Sequence, residues 1–255
     1  MSRVGQGTGM HGHNRQSNHT RLGFEKFVAL MRHSYERGIT FFDMADLYGT
    51  HVYFREALRH IPRDKIAILT KIWWRYDSPA EPQAPPWCRR VCDATIQRFC
   101  HEIGTDHLDI VLLHCMTTSK WPHQLRPYMD ALDDAKAKGR VKAVGVSCHN
   151  FEALKVAADC PWVDVVLTRI NPRGIKMDAP TEQVVSVIKR MRQNGKAVIG
   201  MKILGEGKLA GQKEECIKFA QQLGLLDAMT IGFEKPQYVD QVLRLMAKYP
   251  AAKVS

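Results

Sequence analysis

Five times along this chain an apolar helical pattern stops at a glycine, and a short apolar run follows. Phe24, Phe27, Val28, Met31 and Tyr35 recur at helical spacing ahead of Glu36-Arg37-Gly38, and Ile39–Phe42 follows at once as a strand. Glycine supplies the left-handed stop that ends many helices. Leu125, Tyr128, Met129 and Leu132 line a second helix that stops at Gly139 before a strand through Val146. Val184, Val187, Ile188 and Met191 line a third, stopped at Asn194-Gly195 before Ala197–Met201. Ile103-Gly104 leads to Ile110–Leu113, and Leu223-Gly224 leads to Ala228–Ile231. Short, continuously apolar strands alternating with helices imply a parallel sheet covered by helices.

Adding weaker strands near Val4, at Ile66–Thr70 and at Val163–Leu167 brings the expected number to eight. Eight parallel strands in 255 residues predict a closed (β/α)8 TIM barrel, a single α/β domain over residues 1–255. A doubly wound sheet would need Gly-x-Gly-x-x-Gly opening a helix, and Gly5-x-Gly7-x-Gly9 misses that spacing. The segment Trp73–Trp87, with Pro79, Pro82, Pro85 and Pro86, reads as a loop over one barrel mouth. His11, His13 and His19 lie in a polar stretch that reads as a mobile loop rather than a metal site.

The formal charge of +11 is spread along the helices, which suits a basic enzyme surface and a polyanionic cofactor better than a nucleic-acid or membrane partner. Seven cysteines at irregular spacing suit reduced thiols. No apolar stretch reaches membrane-spanning length and no signal-peptide core opens the chain, so the expectation is a cytoplasmic protein. Oligomeric state has no signature in these residues.

Barrel enzymes place their chemistry at the C-terminal ends of the strands. Reading off the residues there gives Asp43, Lys71, His114, Ser147, Arg169 or Asn171, Lys202 and Gly232, with Tyr48 five residues beyond Asp43. A phenol is a weak acid, and a neighbouring ammonium such as Lys71 lowers its pKa towards neutrality. Asp43 would hold that lysine, and His114 would orient a carbonyl oxygen. Such a set polarises a carbonyl while a cofactor delivers hydride. Asp46, the competing acid, reads as loop structure.

Asp43-x-Ala45-x-x-Tyr48, Lys71 of Thr-Lys-Ile-Trp and His114 of Leu-Leu-His resemble the catalytic tetrad of the aldo-keto reductases. Gly145-Val146-Ser147 is similar to the strand end whose serine contacts the nicotinamide, and Ile231-Gly232 with Pro236 resembles the last strand and the helix start that hold the adenosine phosphate. The resemblance implies reduction of a small-molecule aldehyde or ketone with NADPH, or alternatively NADH, and Tyr48 as general acid. It assigns cofactor contacts to Ser147, Cys148, Met201, Lys202, Gly205, Gly232, Phe233 and Lys235, and a substrate contact to Trp73. Departures are visible: Ser147-Cys148 replaces Ser-Asn, Leu167 replaces a glutamine, Met201 an aromatic, and Gly232-Phe233 with Tyr238 the usual phosphate grip. The family's N-terminal hairpin is shortened or absent. These altered contacts also motivate an alternative, a cofactor-binding regulatory or redox-sensing barrel with little turnover.

Overall fold

The structure, a computed structural model, describes residues 1–74 and 85–252. Eight parallel strands close a barrel in chain order. They are β1 Val4–Gly7, β2 Phe41–Asp43, β3 Ala67–Ile72, β4 Leu108–Met116, β5 Val141–Cys148, β6 Val165–Arg169, β7 Ala197–Met201 and β8 Ala228–Ile231. Closure is made by β1 beside β8, with Val4 opposite Met229. The covering helices are α1 Phe24–Glu36, α2 His51–Ala57, α3 Pro85–Ile103, α4 Trp121–Gln124, α5 Arg126–Ala137, α6 Phe151–Asp159, α7 Thr181–Gln193, α8 Lys213–Gln222 and α9 Pro236–Lys248. The stop glycines behave as the sequence predicts: Gly38, Gly104, Gly139, Gly195 and Gly224 all have positive φ, between 67° and 90°. Among the described residues only Met1–Arg3 precede β1, and no hairpin lies there. No described helix is long and apolar enough to cross a membrane.

Alternation along the strands separates two cores. Phe41, Leu69, Ile110, Leu112, Val165, Leu167, Ile199, Met201 and Ala228 fill the barrel interior. Their neighbours Phe42, Ile68, Val111, Leu113, Val166 and Val198 pack outward in the larger core that includes the helices. The interior is tight enough to dictate glycine. A Cβ on Gly5 would lie 2.2 Å from the Phe41 ring, and one on Gly145 would lie 1.8 Å from the Val165 carbonyl oxygen.

Strand ends run further than the apolar runs suggest. Asp43, Lys71, His114 and Ser147 lie inside β2, β3, β4 and β5, not after them. Ladder hydrogen bonds join backbone groups, so a polar side chain at the mouth does not stop a strand. β6 likewise begins at Val165 and reaches Arg169. The proposed loop over the mouth is shorter than expected at its far end, because Pro85, Pro86 and Trp87 already belong to α3. Proline is tolerated in a first helical turn. Residues 75–84, with Pro79 and Pro82, lie outside the described residues.

Gly145→Ala should lower unfolding stability by about 3 kcal/mol, because the backbone of β6 cannot yield to the new methyl group. Gly211→Ala, with nothing within 4 Å of the added carbon, should change it by less than about 0.5 kcal/mol. Urea denaturation of the two variants makes the comparison.

Candidate active site

The inward-facing parity that builds the interior core continues to the mouth. Two residues beyond Phe41 comes Asp43, beyond Leu69 comes Lys71, beyond Leu112 comes His114, and beyond Leu167 comes Arg169. The top interior layer of the barrel is therefore polar, resting on an apolar floor. A cavity of about 680 Å³ opens above it.

Lys71 is the centre of this layer. It is 1% exposed, so its ammonium must be matched inside the protein. It pairs with the Asp43 carboxylate, donates to the Met44 carbonyl at 2.8 Å, and makes a long contact of 3.5 Å to the Tyr48 hydroxyl oxygen. Thr230 on β8 donates to the other Asp43 oxygen at 2.9 Å. Burial pushes the Lys71 pKa down, and Asp43 works against that shift.

Tyr48 is the last residue of a single 3-10 turn, Asp46–Tyr48, capped by Gly49 in the left-handed region. Its ring is clasped by the N-terminal loop: a Cβ on Gly9 would lie 2.3 Å from it and one on Gly12 2.4 Å. Burial, then the nearby Asp43 charge, holds the phenol pKa well above its ordinary value. This corrects the expectation that Lys71 brings it towards neutrality. In this state Tyr48 keeps its proton.

His114 meets the Tyr48 ring edge-on at a centroid distance of 5.8 Å. Burial first, then the charges of Lys71, His149 and Lys202, push its pKa well below the usual histidine range, so the ring is neutral. Its Nδ1 is buried with no hydrogen-bond partner. Trp73 packs edge-on against His114 at 5.7 Å, and Trp74 donates from Nε1 to the His114 carbonyl at 3.1 Å. Asp46 has the structural role expected of it, taking both guanidinium nitrogens of Arg98 at 3.0 and 2.8 Å.

The remaining sequence-predicted residues divide. Met201, Lys202, Gly232 and Phe233 line the cavity along with Asp43, Tyr48 and His114. Lys202 has a positive φ of 57° and pairs with Glu206 at 2.8 Å. Ser147, Cys148, Gly205, Lys235 and Trp73 are not in the cavity lining. The Ser147 hydroxyl instead accepts from the Cys115 amide at 2.9 Å, Cys148 is fully buried at the end of β5, and Gly205 is buried in a short 3-10 turn. The Lys235 ammonium lies 5.9 Å from the Tyr238 ring centre.

Three contributors escaped the sequence reading. The stretch holding His11, His13 and His19 is no mobile loop at its C-terminal end, since His19 is fully buried with Nε2 2.7 Å from the Phe233 carbonyl oxygen. His149 reaches the cavity two residues beyond Ser147, on the same parity, a signal the sequence did contain. Cys115 reaches it for a different reason. The β4–β5 register shifts between Leu113 and Met116, and Cys115 has φ +63°, so consecutive residues His114 and Cys115 both line the cavity.

Residues 3–247 match the model of the aldo/keto reductase family, and the chain belongs to that family. It is similar to the aldo-keto reductase AFTS1 of Alternaria alternata, 26% identical over an alignment of 236 residues that covers 79% of this chain and 62% of that protein. It is also similar to the NADP(+) aldo-keto reductase yakc of Schizosaccharomyces pombe, 22% identical over 194 residues, 72% of this chain and 53% of that protein. The chain thus spans between 53% and 62% of the length of these two curated relatives. In fold it is similar to the holo form of aldo-keto reductase AKR11C1 from Bacillus halodurans, with a TM-score of 0.71, 15% identity, and coverage of 98% of this chain and 88% of that one.

Lys71→Met strands the Asp43 carboxylate in the barrel and should lower stability by about 3–5 kcal/mol. Combining it with Asp43→Leu removes both charges, so the double variant should lose far less than the sum of the two single losses. Simple additivity in urea unfolding would show that the two groups are not coupled.

Proposed function

We propose that this chain reduces an aldehyde or ketone to an alcohol with a reduced nicotinamide cofactor, Tyr48 acting as the proton donor. The observation that carries the reading is the direction of the contacts around the phenol. Lys71 can only donate towards the Tyr48 oxygen, so the Tyr48 O–H is left to donate to a substrate in the cavity. Asp43 and the Met44 carbonyl hold the ammonium from its other side. As the proton leaves, negative charge grows on the phenol oxygen, and a fixed cation beside it stabilises that charge more than the neutral phenol. Tyr48 is protonated at rest and made more acidic only as charge develops. His114, neutral and fixed by Trp73 and Trp74, has one N–H with which to orient the same carbonyl oxygen.

The cavity has the chemistry of a dinucleotide site. Met201, Leu167 and Phe233 give it apolar walls, and Lys202 and Lys213 supply charge for phosphates. When bound, the nicotinamide supplies hydride to the carbonyl carbon. Met201, at the end of β7, would support its ring. NADPH is the favoured cofactor, supported by the NADP(+) relative in fission yeast, with NADH as the alternative. Glu234 lines the cavity and Lys235 does not; the lysines and arginine among the described lining residues are Lys202, Lys213 and Arg169, with Lys202 paired to Glu206 and Arg169 to Asp178.

Tyr48→Phe should lower the reduction rate by about 10²-fold or more while NADPH still binds, read from the change in its fluorescence. A phenylalanine variant that reduces aldehydes at the normal rate would remove Tyr48 from the mechanism.

A further inference from the structure

The geometry points to Cys115 as a nucleophilic thiol that captures soft carbon electrophiles, conjugated carbonyl compounds above all, inside the cavity. This goes beyond carbonyl reduction and does not depend on it. Arg169 at the end of β6 is held by Asp178 at 2.9 Å and directs its other terminal nitrogen at His149 Nδ1. A guanidinium has no acceptor, so Nδ1 must be the accepting nitrogen. Burial first, then Arg169, brings the His149 pKa down to about 3, so the ring is neutral and carries its single proton on Nε2. That nitrogen lies 3.6 Å from the Cys115 sulfur. The chain of donors therefore runs one way, from Asp178-anchored Arg169 through His149 to sulfur, and it terminates on an acceptor.

A thiolate accepts such a bond better than a thiol does, and positive charge nearby favours it further. Lys71 interacts electrostatically with Cys115, which helps keep the lysine protonated, and the interaction acts equally on the sulfur. The positive φ of Cys115 and the Ser147 bond to its amide fix the residue at the bulge, with the side chain on the cavity wall. Three groups that could bind a metal, His114, Cys115 and His149, offer ligand atoms within 4.8 Å of one another. The same donor chain argues against an ion there. With Nδ1 already accepting from Arg169, coordination through Nε2 would require His149 to lose its only proton, beside two lysines and an arginine. A neutral carbon electrophile has no such conflict.

In the capture step the thiol gives its proton to water, and the lone pair of the thiolate forms an S–C bond at the β-carbon of the conjugated carbonyl. The C=C π pair moves onto the carbonyl oxygen, and the resulting enolate takes one proton from water. The product is a saturated thioether; the thiol has added across the double bond with no oxidant or reductant.

The test is labelling of the whole protein at neutral pH with limiting N-ethylmaleimide, scored by mass spectrometry of its cysteine peptides. Cys115 should react about tenfold or more faster than the half-buried Cys160. His149→Phe should slow Cys115 by about tenfold while leaving the Cys160 rate unchanged, which also reports that the fold is intact. Labelling of Cys115 no faster than Cys160 would overturn the proposal. Fast labelling that survives His149→Phe would equally overturn it, because the donor chain would then not be its source.

Discussion

Everything at the mouth of this barrel depends on one buried ion pair. Lys71 and Asp43 sit on adjacent strands, each on the inward face, where an unmatched charge would cost several kcal/mol. Their pairing makes a polar layer tolerable above an apolar interior, and Thr230 and the Met44 carbonyl complete it. Burial, with the Asp43 charge adding to it, keeps the Tyr48 phenol protonated, and burial, with the Lys71 charge adding to it, keeps His114 neutral. Each member of the pair thus reinforces what burial already favours in its neighbour.

The scaffold delivers these groups through alternation. A β-strand places every second side chain on one face, so an interior of Phe41, Leu69, Leu112 and Leu167 puts Asp43, Lys71, His114 and Arg169 in the next layer. That regularity made the barrel and the inward placement of Asp43, Lys71 and His114 legible in the sequence. Apolar runs marked the strands, glycines marked the helix ends, and the first polar residue after each run fell close to the site. The stop glycines Gly38 and Gly139 were as informative as any apolar residue, because a left-handed backbone leaves few alternatives.

What stayed hidden depends on contacts between segments distant in sequence. Nothing local reveals that Gly9 and Gly12 pack against the Tyr48 ring, or that His19 anchors to the Phe233 carbonyl; both arise only once β1 closes on β8. Cys115 was hidden for a sharper reason, since a bulge breaks the parity rule at that residue. His149 was legible in principle by counting two from Ser147. Ser147 and Lys235, assigned to the cofactor by resemblance, also have partners within the chain that the sequence did not announce: the Ser147 hydroxyl accepts from the Cys115 amide, and the Lys235 ammonium lies over the Tyr238 ring.

The central claim is that the protonated phenol of Tyr48 and the cavity above it serve hydride transfer to a carbonyl. Reduced nicotinamide carrying deuterium at its transferable position, supplied with a panel of aldehydes and ketones, tests it most directly. The account predicts an alcohol product with deuterium on the former carbonyl carbon. Alcohol formed without the label, or no alcohol from any member of the panel, would contradict it.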